Sequence, residues 1–108
     1  MMSKYVQIVD FISNLVEKYE RDDRDLPVFE EHLATLRNKL GTNGYTYLQV
    51  RDGTNIEIVK VSASNGTLLV TRGQENTTAT AFPKGSCVEW KLTTSAVRDI
   101  VCQMDCCP

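Results

Sequence analysis

The tetrapeptide Gly41-Thr42-Asn43-Gly44 divides the sequence into two parts with different hydrophobic patterns. Before it, apolar residues recur at alternating steps of three and four, which is typical of an amphipathic helix. After it, apolar and polar residues alternate with a period of two as far as residue 92, which is typical of half-buried strands. The sequence therefore predicts an α+β fold, with a helical hairpin at residues 1–41 and a small β domain with a C-terminal helix at residues 42–108. The two parts form either one compact unit or two subdomains.

The first part predicts two antiparallel helices. The apolar stripe of the first helix is formed by Tyr5, Ile8, Ile12, Leu15 and Tyr19. The second helix is expected to begin after Asp25, with Pro27 in its first turn, and to end at Gly41, a residue type suited to the left-handed end of a helix. The wholly charged stretch at residues 20–25 suits the exposed link between them.

The first helix has more apolar surface than the second helix can cover. Its stripe spans about 120°, against about 80° for the second helix, and Val6 and Phe11 widen it further. We therefore expect Tyr5, Val6 and Phe11 to contact either the sheet of the same chain or a second copy of the chain.

The second part predicts a small antiparallel sheet of about four strands. Turn residues at Asp52-Gly53 and Asn65-Gly66 separate the first three strands, and a loop at residues 72–85 precedes the fourth. The expected strands are residues 45–51, 56–62, 67–71 and 87–92, followed by a helix from residue 96 to about residue 105. One apolar face of the three-stranded meander is expected from Leu48, Val50, Val59, Val61, Leu68 and Val70.

Composition restricts the class of protein. The chain has 108 residues, enough for one domain, and its 12 Lys and Arg residues against 14 Asp and Glu residues give a net charge of −2. Because the cations do not cluster, we expect no nucleic-acid partner. No apolar run is long enough for a membrane span or a signal peptide, so we expect no membrane partner and folding in a cytoplasm.

Catalytic patterns are missing from the sequence. The single histidine, His32, lies off the apolar stripe of the second helix, where a solvated surface residue is expected. No serine has the Gly-x-Ser-x-Gly context, no glycine-rich phosphate loop is present, and the acidic residues are scattered. We therefore expect neither an enzyme nor a cofactor nor a small-molecule substrate.

The cysteines are the strongest candidate for a metal site. Cys102 and Cys106 are one helical turn apart, and Cys87 or Cys107 could complete a set of zinc ligands. Structural zinc sites, however, usually combine two ligand pairs from two separate loops, and the sequence has one cluster. Unliganded thiols, a metal site and a disulfide between subunits remain open, with unliganded thiols as our expectation.

The loop after the third strand carries a resemblance to a known class of proteins. The run from Leu69 to Glu89 (LVTRGQENTTATAFPKGSCVE) resembles a segment that recurs in virion proteins of tailed bacteriophages. In that segment a strand ending Val-Thr-Arg-Gly-Gln-Glu leads to Gly-Thr-Thr-Ala, an aromatic-containing stretch, Gly-Ser/Thr and a strand with Val-Glu. Asn76 replaces a glycine that is usual there, and asparagine is the next best residue for a turn with positive φ. The run covers about 21 of the 108 residues and leaves out both the helical part and the cysteine-rich end.

The resemblance implies assembly rather than catalysis. It implies a virion structural protein of the tail, baseplate, neck or fibre-anchoring region, made in the host bacterial cytoplasm, that binds copies of itself and other virion proteins. In the loop, Arg72 and Glu75 flank a turn and could pair across it, and Phe82 could anchor the loop from below. With the helix residues, the expected protein contacts are Tyr5, Val6, Phe11, Arg72, Glu75 and Phe82.

Two alternatives stay open. A head decoration or head-completion protein would share the segment and differ only in its place on the particle. A metal-binding or redox regulator built on the cysteines is the alternative from another class.

Overall fold

The computed structural model describes residues 4–94 and 97–99. Its elements are β1 (Lys4–Tyr5), β2 (Ile12–Asn14), α1 (Glu30–Leu40), β3 (Gly44–Arg51), β4 (Ile56–Ser64), β5 (Thr67–Gln74) and β6 (Cys87–Trp90). The strands form a single sheet in the order β2-β6-β3-β4-β5, and every pairing along this order is antiparallel. Strand β1 pairs in parallel with the first residues of β3, on the same edge of β3 that β6 occupies further along.

The helix α1 lies against one face of the sheet, which we call the inner face. Leu36 and Leu40 are the buried residues of α1. They join a core of buried apolar side chains from the sheet and the N-terminal segment, among them Ile8, Phe11, Leu15, Tyr19, Leu48, Val50, Val59, Val61, Phe82 and Val88. On the opposite, outer face, a second and smaller cluster consists of Tyr5, Tyr47 and Ile58, with Tyr45 and Trp90 packed against it.

The predicted helical hairpin is wrong, because the first of its helices does not exist. Residues 4–19 contain no helix; they supply the extended segments β1 and β2, a turn at residues 9–10 between these strands, and a bridge between Tyr19 and Phe82. From residue 11 to residue 15 burial alternates with a period of two, so Phe11 and Leu15 are buried while Ile12 is 61% exposed. The fold is therefore mostly β, with six strands among the described residues instead of about four.

Hydrogen bonds from the last strand explain why this segment is extended. Trp90 donates its backbone N–H to the carbonyl of Phe11. Leu15 donates to the carbonyl of Ser86 and accepts from the N–H of Gly85, with N···O distances of 2.9 and 2.8 Å. Long-range partners of this kind override a local helical pattern, since propensity is a weak preference of a fraction of a kcal/mol per residue.

The second predicted helix exists but begins later than expected. It starts at Glu30 rather than just after Asp25, and Pro27 lies before it, where its carbonyl accepts the N–H of Val16. The predicted end is confirmed: Gly41 follows the last helical residue with φ 70° and donates to the carbonyl of Arg37. The chain then turns directly into β3, where a Cβ at Gly44 would collide with the carbonyl oxygen of Leu40.

The predicted meander is confirmed in β3, β4 and β5. Asn65 and Gly66 both have positive φ, 51° and 84°, which gives the mirror-image turn that suits a two-residue hairpin. The turn between β3 and β4 is longer than the predicted Asp52-Gly53 pair, because Arg51 pairs with Ile56 and four residues lie between them. Of the predicted C-terminal helix, residues 97–99 are helical and the others lie outside the described residues or, at residue 96, between them.

Candidate functional site

A buried ion pair joins β4 to β5 on the inner face of the sheet. The carboxylate of Glu57 accepts two parallel hydrogen bonds from the guanidinium of Arg72, from Nε at 2.7 Å and from Nη2 at 2.9 Å. The side chain of Glu57 is fully buried and that of Arg72 is 9% exposed. Two charges at this depth are tolerated only when their remaining hydrogen-bonding groups are also satisfied.

Backbone groups satisfy the rest of the pair. Glu57 accepts the N–H groups of Gly73 and Thr80, both at 2.9 Å. Arg72 donates to the carbonyls of Thr80, Glu20 and Asp23 at 2.7 to 2.8 Å. All five N–H groups of the guanidinium are therefore used. The pair ties three segments together: the end of β5, the loop after it and the charged stretch at residues 20–25.

An aromatic ring completes the surroundings of the guanidinium. The Cζ atom of Arg72 lies 3.9 Å from the centre of the Tyr19 ring, which is a cation–π contact. Burial raises the pKa of the Tyr19 hydroxyl to about 12, although the positive charge of Arg72 acts in the opposite direction. Tyr19 is held in place by a pair of backbone hydrogen bonds with Phe82, at 2.9 and 2.8 Å.

The loop after β5 begins with a tight turn. Glu75 and Asn76 have φ values of 54° and 66°, so Asn76 adopts the positive φ expected at this position. The hydroxyl of Thr77 donates to the carbonyl of Gln74 and accepts the N–H of Ile58 at 3.0 Å, which fastens the turn to β4. Gly73 also has positive φ, and a Cβ there would lie 3.2 Å from the carbonyl oxygen of Thr77.

The expected pairing of Arg72 with Glu75 is wrong. Arg72 pairs with Glu57, whereas the Oε2 atom of Glu75 is buried and accepts no hydrogen bond from the described residues. Glu57 was missed although the sequence contains a signal for it. Val59 and Val61 lie on the inner face, and alternation with a period of two puts Glu57 on the same face. By the same alternation along β5, Arg72 lies on the same face as Val70. Opposite charges in the buried phase of adjacent strands indicate an internal ion pair.

The remaining predicted contact residues lie inside the molecule. Tyr5, Phe11 and Phe82 are 3%, 7% and 0% exposed, and Val6 is half-buried against the core. The apolar helix face that singled out three of them does not exist, because that segment is extended. Phe82, a residue of the loop itself, is buried in the main core.

His32 is also less exposed than predicted. It is half-buried, and its Nδ1 lies 2.6 Å from the hydroxyl of Ser13 on β2. Its ring makes edge contacts with Phe11 and Phe29. The histidine therefore joins α1 to the N-terminal segment.

A tyrosine cluster occupies the outer face. Tyr45 and Tyr47 donate their hydroxyls to Asp99, at 2.5 and 3.5 Å, and Trp90 donates its indole N–H to the hydroxyl of Tyr5 at 3.1 Å. Burial, followed by the hydrogen bond and the negative charge of Asp99, raises the pKa of Tyr45 well above its ordinary value. Burial and the same charge raise the pKa of Tyr47.

A groove of about 420 Å³ lies between α1 and β5. Its lining is mainly apolar and includes one acidic and one basic side chain. The apolar side chains are Leu26, Leu33, Val61, Leu68 and Val70, and the charged ones are Asp25 and Arg37.

The structure does not test whether the candidate cysteines carry free thiols, a metal ion or a disulfide. Cys102, Cys106 and Cys107 lie outside the described residues, and Cys87, on β6, is half-buried with a free thiol. Within residues 4–94 and 97–99, no group of three metal-ligating side chains comes together. In the same part of the chain, no helix has the length and apolar character needed to cross a membrane.

No protein-family model matches the chain, and no curated protein is significantly similar to it.

Proposed function

We propose that the chain is a structural protein of a bacteriophage virion, in the tail, baseplate, neck or fibre-anchoring region, that acts by binding copies of itself and other virion proteins. The proposal rests on one observation: the run Leu69–Glu89 forms a single structural unit, a strand, a loop and the next strand. This run, which resembles the phage segment, contains most of β5, the whole loop and most of β6. Its arginine is the residue that fastens the loop.

The loop is ordered by contacts within the chain. The Glu57–Arg72 pair holds both the start of the loop and Thr80 in its middle, and the backbone of Phe82 pairs with Tyr19. A loop held in this way has little conformational entropy to lose when a partner binds. It therefore suits a subunit that presents a fixed surface for assembly.

The chemistry of the buried pair also favours binding over catalysis. Every N–H of Arg72 is used, and Glu57 accepts four hydrogen bonds from the chain itself. A substrate would have to displace several of these bonds in order to reach either charge. The pair is thus suited to stabilising the fold rather than to acting on a ligand.

The surface available for contacts lies elsewhere than the sequence predicted. Ile12, Ile56 and Leu69 are 61%, 56% and 55% exposed. Residues directly opposite one another in neighbouring strands point to the same face of a sheet. The strand registers therefore place all three side chains on the outer face. The three side chains are separated on this face, so each offers a separate apolar contact rather than one continuous patch.

The experiment that tests the proposal is the composition of purified particles. Particles released by cells that encode the chain are purified on a density gradient, and their proteins are identified by peptide mass spectrometry. We expect the chain in a fixed ratio to the other virion proteins. An abundant host protein followed through the same gradient controls for adsorption.

Two outcomes would contradict the proposal. A chain that is plentiful in the lysate and absent from purified particles would not be a virion protein. If heads and tails are separated and the chain is found with the heads alone, the head decoration or head-completion alternative replaces the tail location.

A further inference from the structure

The outer edge of β5 is free among the described residues. Strand β5 pairs with β4 along one edge, and no strand of residues 4–94 pairs with the other. The stretch Thr67–Thr71 (TLLVT) contains neither a charge nor a proline, the usual devices that keep an edge strand from pairing. At the opposite end of the sheet, β2 has three residues, and the N–H of Val16 just beyond it already bonds to Pro27. The long free edge is therefore β5.

The hairpin turn fixes which backbone groups of β5 point outward. Ser64 and Thr67 flank a two-residue turn, so they exchange both of their hydrogen bonds. Because such pairs alternate along an antiparallel ladder, Leu69 also bonds to β4. The N–H and C=O groups of Leu68 and Val70 consequently point away from the sheet.

Apolar side chains flank these free groups on both faces. Leu69 is 55% exposed on the outer face. Leu68 and Val70 are half-buried on the inner face, where they form part of the groove beside α1. A strand added at this edge would gain both backbone hydrogen bonds and apolar contacts.

We propose that this edge pairs with the same edge of a second copy of the chain, antiparallel about a two-fold axis at Leu69. Leu68 of each copy would then lie opposite Val70 of the other, with four backbone hydrogen bonds between them. The two Leu69 side chains would touch across the axis, and the two grooves would become continuous. The proposal rests on the self-association in the proposed function and names its surface.

The charges at the ends of the edge favour a second copy as the occupant. Arg37, in the last turn of α1, lies near the start of β5, because Thr42 just after α1 accepts the N–H of Asn65 in the turn before β5. Within its own chain Arg37 pairs at 2.7 Å with Glu30, whose side chain is 77% exposed. At the other end, Arg72 donates to the carbonyls of Glu20 and Asp23, and residues 20–23 carry three acidic side chains against one basic one. Antiparallel pairing brings Arg37 of each copy close to the acidic stretch of the other. If β5 instead paired with the β2 edge of another copy, Arg37 of each copy would not lie close to the acidic stretch of the other.

The first experiment changes the side chain on the proposed axis. We expect the purified full chain to sediment as a dimer and Leu69→Lys as a monomer, because two ammonium groups would meet across the axis. The matched control is Ile56→Lys, whose side chain lies on the same face with 56% against 55% exposure, but on β4. The control should remain dimeric, and circular dichroism of both variants checks that each is folded.

The second experiment exchanges the charges at the ends of the edge. We expect Arg37→Glu and Asp22→Lys each to weaken the dimer several-fold, because each creates two contacts between like charges. An equimolar mixture of the two variants should form a heterodimer, in which both contacts again join opposite charges. This rescue depends on antiparallel pairing and not on a loss of stability in either variant.

Several results would overturn this proposal. It would be contradicted if the wild-type chain were monomeric or formed an assembly larger than a dimer. It would also be contradicted if Leu69→Lys associated like wild type, or if the mixture of the two charge variants showed no rescue. These experiments distinguish the edge-pairing proposal from the proposed virion function. Loss of the dimer with the chain still present in particles would contradict the edge alone, and a dimer that is absent from particles would contradict the virion role alone.

Discussion

The two faces of the sheet bury polar groups in opposite ways. On the inner face, Glu57 and Arg72 are charged, lie deep in the molecule and use all their hydrogen-bonding capacity on each other and on the backbone. On the outer face, two neutral tyrosine hydroxyls donate to the carboxylate of Asp99, whose charge partner, Arg98, is 65% exposed. The inner arrangement is stable only when complete, whereas the outer one tolerates the loss of a member and responds to pH.

The difference follows from the cost of desolvation. Removing one member of a buried ion pair leaves a charge without water or partner and costs about 3–5 kcal/mol. Removing one hydroxyl from a partly exposed neutral cluster costs about 1 kcal/mol. The predictions below test this difference between the two faces.

The largest effect is expected at the inner pair. Glu57→Ala should lower the free energy of unfolding by about 3–5 kcal/mol, because the buried guanidinium of Arg72 loses its carboxylate. This is a large fraction of the roughly 5–15 kcal/mol that stabilises a domain. Urea denaturation followed by circular dichroism measures the change.

Two further variants sharpen this prediction. The double variant Glu57→Leu with Arg72→Met should cost less than the sum of the single variants, since no charge is left buried. Arg51→Ala is the control, because it removes an Arg–Glu pair on the outer face in which the arginine is 47% exposed, and it should cost less than about 1 kcal/mol. Additive single variants, or equal effects at the two pairs, would contradict the comparison.

The second effect is a loss of stability in alkali. All four tyrosines of the chain have a pKa above the ordinary value of 10.0, with burial as the largest cause. The folded state therefore holds these protons more tightly than the unfolded state does. The stabilisation is complete below pH 10.0 and is lost as the pH rises through the higher values of the folded state.

The measurement is the urea midpoint together with the absorbance of tyrosinate, on both sides of pH 10.0. We expect tyrosinate to appear together with unfolding, in one cooperative step. Gradual ionisation around pH 10.0 in a chain that stays folded would show that the tyrosines are not protected.

Much of the sheet could be predicted from the sequence, and the N-terminal segment could not. In β3 to β5 the hydrophobic period and the Asn65-Gly66 turn indicate the same structure, and the strands pair with their neighbours in sequence. Residues 4–19 instead pair with residues that are far away along the chain, such as Phe82 and Trp90. Their apolar residues at steps of three and four match a helix by spacing alone. Nothing local in this segment indicates the distant partner.

The candidate site was found only in part. The sequence drew attention to the loop and to Arg72, but local reasoning chose Glu75, three residues away, as the partner of Arg72. The true partner, Glu57, lies on the adjacent strand, and it becomes visible only when the phases of β4 and β5 are compared. The carbonyls of Glu20 and Asp23 belong to backbone that no side-chain pattern encodes.

The smallest effect is expected from the carboxylate on the outer face. Asp99→Asn keeps the shape of the side chain but removes the charge that raises the pKa of Tyr45 and Tyr47. At neutral pH it should cost about 0.5–1.5 kcal/mol, because a hydrogen bond to a charged acceptor becomes a neutral one. Above pH 10.0 the variant should lose stability less steeply than wild type, since the folded tyrosines ionise more easily. The two stability curves should therefore converge in alkali.

Asp52→Asn, a change at the exposed turn after β3, is the control and should leave the alkaline slope unchanged. Parallel curves for Asp99→Asn and wild type would show that the carboxylate does not control the tyrosines.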